Sequence, residues 1–70
     1  MRQGILVYDQ ETGRMDIQFG ADDYYGGLHC GTTMEVFIGA QWVSTRIEYA
    51  GDWFLVGIEV TNLNLLKVRI

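Results

Sequence analysis

The sequence predicts an all-β fold: a small antiparallel barrel of five to six short strands with little or no helix. Three observations predict it. Apolar and polar residues alternate with a period of two in several short runs, the spacing of a half-buried strand. No segment of about ten residues carries the 3.6-residue period of an amphipathic helix. The runs are separated by brief stretches holding Gly, Asn or Asp, the punctuation of a small sandwich or barrel.

Gly4-Ile5-Leu6-Val7-Tyr8 is β-rich and apolar on both faces, which predicts a first strand. Asp9–Gly13 reads as a hairpin connection, with Gly13 suited to a positive φ. Arg14–Phe19 alternates strictly and places Met15, Ile17 and Phe19 on one face. Gly20 then opens the longest break between periodic segments, and Gly31 closes it. Thr32–Ile38 alternates again, with Met34, Val36 and Ile38 inward. After the turn Gly39–Gln41, the strand Trp42–Tyr49 puts Val43, Thr45, Ile47 and Tyr49 on one face and Trp42, Ser44, Arg46 and Glu48 on the other. Ala50–Asp52 turns the chain into Trp53–Ile58, again apolar on both faces. Glu59–Asn64 is a polar connection with room for one helical turn, and Leu65–Ile70 is a last strand with Leu66, Val68 and Ile70 on one side. The succession Leu28, Gly31, Glu35-Val36, Gly39, Trp42, Arg46-Ile47-Glu48 and Trp53 has the cadence of SH3-like and Tudor-like barrels.

Seventy residues make a single domain, 1–70. A chain this short buries only about 60% of its unfolded surface, so its own core leaves it marginally stable. Cys30 is the only cysteine, which excludes an intrachain disulfide and fits a reducing compartment; a cytoplasmic location is expected. A net charge of −4 with five dispersed basic residues disfavours general nucleic-acid or membrane-surface binding, which needs clustered Lys and Arg. The apolar run Gly4–Tyr8 is too short for a signal-peptide core or a membrane span.

The stretches Gly4–Asp9, Glu11-Thr12-Gly13-Arg14, Asp23–Gly31, Glu35-Val36, Trp42, Thr45–Glu48, Asp52-Trp53 and Lys67–Ile70 resemble a family of short uncharacterised proteins from Gram-positive bacteria and their phages, plasmids and conjugative elements. The resemblance spans almost the whole chain. It implies a genomic setting in which short accessory proteins bind host factors or host signals, and it supplies no catalytic residues.

Enzymatic and metal chemistries lack the residues they need. The only imidazole and the only thiol are consecutive, His29-Cys30. Neighbours on an extended chain point to opposite sides, so they neither grip one ion nor act as nucleophile and base. Asp22-Asp23 lie in a glycine-flanked loop and read as turn formers. No catalytic residues, metal ligands or cofactor are therefore expected.

Two binding readings follow. In the first, the long break is the working surface. Tyr24 and Tyr25 offer faces for stacking, Gly26 and Gly27 aim backbone N–H groups at an anion, His29 flanks them and Arg46 is the charge partner. The ligand would be a small anionic molecule such as a nucleotide. In the second, an outer apolar set of Leu6, Tyr8, Phe37, Trp53 and Leu55 forms an interface, with a second copy of the chain or with a host protein. Homodimerisation is expected, because it would bury that patch and support a chain with a small core.

Overall fold

A computed structural model describes residues 1–70. The chain forms seven strands: β1 Gln3–Asp9, β2 Arg14–Gly20, β3 Asp23–Tyr24, β4 Thr33–Ile38, β5 Gln41–Tyr49, β6 Trp53–Leu55 and β7 Lys67–Arg69. All pair antiparallel in one sheet of order β3-β2-β1-β7-β4-β5-β6, without helix. The sheet curls on itself into a barrel-like shape around a single core. The all-β expectation holds. The strand beyond the expected six is the two-residue β3, which sits inside the long break and is too short to show a period.

The last strand in sequence lies at the centre of the sheet. β7 sits between β1 and β4, with Gly4 opposite Val68 on one side and Val36 opposite Val68 on the other. Its ladder with β1 runs on past the strand ends, through Arg2 N–H to Ile70 O at 2.8 Å and Leu65 N–H to Leu6 O at 2.7 Å. Glu59–Asn64 forms no helical turn and is an irregular connection. Asn62 Oδ1 accepts the Asn64 amide at 3.0 Å, and Asn64 Oδ1 accepts the Tyr8 amide at 2.8 Å. Between them Leu63 drops into the core. That short side-chain bonding offers the backbone an alternative to a helix.

The core consists of Leu6, Met15, Ile17, Leu28, Met34, Val36, Ile47, Leu55, Leu63 and Val68, all apolar. Full burial of each large member stabilises the fold by about 1.5–3 kcal/mol against leaving it in water. The alternation of β2, β4 and β7 is as expected, with Phe19, Ile38, Leu66 and Ile70 half-buried at the margins.

Two assignments are corrected. Leu6 is 0% exposed and Leu55 is 2% exposed, so neither projects outward. Their strands are apolar on both faces, which leaves the phase of the alternation undetermined until a partner strand fixes it. Leu6 lies opposite Ile17, and Leu55 lies opposite Ile47. Residues directly opposite share a face, so both leucines follow their partners inward. On β6 the outward residue is Phe54, opposite Glu48.

Candidate functional site

The segment that follows β3 is laid against β2. The Tyr25 amide donates to Ile17 O and the Leu28 amide to Met15 O, each at 2.8 Å. Leu28 fills the core, and the Gly31 amide reaches Ile47 O on β5 at 2.8 Å. This is the structural crossover that carries the chain from the β2 side of the sheet to the β4–β5 side. Gly26 and Gly27 adopt φ of 110° and 99°, a region open to glycine and disfavoured for other residues. Their amides converge on an acceptor that belongs to the protein. Asp16 Oδ1 takes the Gly26 N–H at 3.0 Å, the Gly27 N–H at 2.9 Å and the Ile17 N–H at 2.8 Å. The anion seat read from the two glycines is filled by an internal carboxylate.

Of the residues assigned to an anionic ligand, Tyr24, Gly26, Gly27 and His29 line one cleft of about 610 Å3, together with Asp9, Thr12, Arg14 and Asp16. Tyr25 does not line it and is 45% exposed elsewhere. Arg46 is not there either: it pairs with Glu48 at 3.0 Å on the outer face of β5. The basic residue of this cleft is Arg14, whose guanidinium donates to Leu28 O at 3.2 Å. Against it stand two carboxylates, so the cleft carries an excess of negative charge.

A second cleft, about 540 Å3, opens at the end of the barrel where the β1–β2 turn, the β5–β6 turn and the Thr61–Asn64 connection meet. Its rim carries Tyr8, Tyr49 and Trp53, and its polar lining includes Asp52, Thr61, Asn62 and Asn64. Tyr8 and Tyr49 are 47% and 55% exposed. Trp53 is fixed, because its indole Nε1–H donates to Gly13 O at 2.8 Å across the barrel mouth. Tyr49 stands edge-on to Trp53, with centroids 4.9 Å apart and planes at 63°. Asp52 Oδ1 caps the turn by accepting the Trp53 amide at 2.9 Å.

The expected interface set is thus divided three ways. Leu6 and Leu55 belong to the core, Tyr8 and Trp53 to the end cleft, and Phe37 to the outer sheet face. There Phe37 packs edge-on against Trp42 at 5.1 Å; Lys67 Nζ lies 5.2 Å from the Phe37 centroid and the Arg69 guanidinium 4.3 Å from that of Trp42. Tyr49, Asp52, Asn62 and Asn64 lie outside the site residues that the sequence indicates. Their signal was the pair of asparagines flanking Leu63 and a hairpin turn abutting a tryptophan. His29 and Cys30 are both exposed, and no three His, Cys, Asp or Glu side chains gather as a metal site.

Comparison with known proteins adds a family and a fold. A search of curated proteins found no match. Among solved structures, a crystal structure of a protein from Ruminococcus gnavus, determined by a structural genomics consortium, is 51% identical. The match covers 99% of this chain and 100% of that one with a TM-score of 0.94, so the two share the fold throughout. A family model for a domain of unknown function, DUF5348, matches residues 4–70, nearly the full length; the chain belongs to this family.

Proposed function

We propose that the protein is a small non-catalytic binding module that docks a partner protein through the end cleft. The observation that carries this reading is the convergence of Tyr8, Tyr49 and Trp53 on one mouth of the sheet, two of them half in water. Tyr and Trp dominate interface energetics when a partner buries them, and the bond from Trp53 to Gly13 O sets the geometry before any partner arrives. The cadence of the central strands supports an SH3-like architecture. The resemblance to short proteins of Gram-positive phages and mobile elements supports a host factor as the partner, and the lone cysteine supports a cytoplasmic setting.

A small anionic ligand such as a nucleotide is the competing reading. One observation favours it: Tyr24, Gly26, Gly27 and His29 do share a cleft. Its chemistry is weaker, since Asp16 already occupies the glycine amides and Arg46 lies outside. Homodimerisation is a companion proposal, its support now narrowed to Phe37, Trp42 and Phe54 on the outer face. Sedimentation at micromolar concentration tests it, with a dimer that Phe37→Ser dissociates as the supporting result and a monomer as the contrary one.

A random-peptide selection against the wild-type protein tests the docking site. Selected peptides are expected to lose about tenfold or more in affinity with Tyr49→Ala, equivalent to about 1.4 kcal/mol, and to be indifferent to Tyr24→Ala. Peptides that depend on Tyr24 and ignore Tyr49 would relocate the site to the other cleft. A nucleotide that raises the melting temperature, with Tyr24→Ala abolishing the shift, would favour the anionic ligand instead.

A further inference from the structure

We infer that the end cleft recognises a cation, the ammonium or guanidinium of a lysine or arginine side chain presented by the partner. The inference rests on the docking reading and names the chemistry the site selects. Aromatic faces carry negative quadrupole density and attract cations held within about 6 Å of the ring centroid. Tyr49 and Trp53 meet edge-on, their planes at 63°, and both line the cleft. Tyr8 completes the rim: its hydroxyl lies beside Gly13, whose carbonyl holds the Trp53 indole. Asp52 adds a formal negative charge, and no Lys, Arg or His lines the cleft.

The protein contains its own control for this assignment. It has two aromatic pairs, Phe37–Trp42 and Tyr49–Trp53, each edge-to-face. On the outer face both rings of the first pair carry a cation from the same chain, Lys67 on Phe37 and Arg69 on Trp42. The second pair carries none, and the cleft it lines includes the carboxylate of Asp52. The remaining basic side chains are engaged elsewhere: Arg2 lies over Phe19 and pairs with Asp23, Arg14 bonds Leu28 O, and Arg46 pairs with Glu48. Asp52 is paired with none of them. A cleft with an aromatic lining, an acid that no cation pairs with and no resident cation is complementary to one brought from outside.

Titration of the nitrogen-15-labelled protein with Nα-acetyl-lysine methylamide, Nα-acetyl-arginine methylamide and the neutral norleucine analogue tests this directly. The two cationic amides are expected to shift the Trp53 indole N–H and the Tyr8 and Tyr49 amides saturably. They should bind about fivefold or more tightly than norleucine. Asp52→Asn keeps the oxygen that caps Trp53 and removes the charge, so it should weaken the lysine amide about threefold and flatten its salt dependence. Norleucine binding as well as lysine, or no saturable shift at Trp53, would overturn the cation assignment. Library peptides that need Tyr49 but contain no basic residue would overturn it too and leave docking intact. Peptides that do not need Tyr49 would overturn both.

Discussion

Gly4 lies outside the left-handed backbone region, so its conformation alone would admit any residue. Space is what excludes a side chain. A Cβ there would sit 2.5 Å from Gln18 O and 2.8 Å from Ile17 Cγ2. The carbonyl belongs to the neighbouring strand β2, so it cannot retreat without opening the β1–β2 ladder. A bare backbone here lets the two strands press together where the sheet bends over the core. Gly4→Ala is therefore expected to destabilise the protein by about 3 kcal/mol, the upper part of the range for overpacking. In a domain this small that amounts to a fall in Tm of about 12 °C or more. Urea denaturation reads the change, and a midpoint within error of wild type would refute the steric account. The positive φ of Ala40, 65°, is the opposite case, since there the turn between Ile38 and Gln41 sets the conformation and the residue is exposed.

At the scale of the element, the crossover from β3 to β4 depends on one side chain outside it. Asp16 gathers three amides on a single oxygen and so fixes both the Gly26-Gly27 bend and the strand beneath. Asp16→Ala leaves those donors to find water, at a cost of about 2 kcal/mol, and should speed hydrogen exchange at Gly26 and Gly27 selectively. Exchange rates there that match wild type would show that the bend is held by Leu28 and the β2 ladder alone. Asp16→Asn retains an acceptor and should fall between. This arrangement explains what was legible beforehand. Strands with one wet face, such as Arg14–Phe19 and Thr33–Ile38, announce their phase through alternation, and the structure keeps it. Gly4–Tyr8 and Trp53–Leu55 do not, because apolar residues on both faces make the two phases equivalent, and only pairing with Ile17 and Ile47 chooses between them. The amides of Gly26 and Gly27 aim at an anion of the protein itself. That the anion is Asp16, ten positions back in the sequence, is a long-range fact no local pattern contains.

Over the whole molecule, β6 sits at one edge of the sheet, and curling brings it round to the β1–β2 turn near the other. Trp53 joins them: its indole N–H donates to Gly13 O, 40 residues away in sequence. The same ring forms a wall of the end cleft, so the contact that closes the barrel also shapes the candidate site. The apolar runs around Tyr8 and Trp53 point to an outer surface in the sequence, whereas the placing of Tyr49 and Asp52 beside them depends on how far the sheet curls. Trp53→Phe separates the two roles, keeping an aromatic face against Tyr49 and deleting the donor. The loss of one net hydrogen bond predicts a destabilisation of about 1 kcal/mol, or about 4–8 °C in Tm. Its distribution is the sharper test. If the indole bond clasps the barrel, amide exchange should accelerate at Leu55, which faces Ile47, and around Gly13 together, while Val36 and Val68 at the sheet centre stay protected. Acceleration confined to β6, with the Gly13 turn unchanged, would mean that the two sides are held together by core packing and that Trp53 serves the cleft alone.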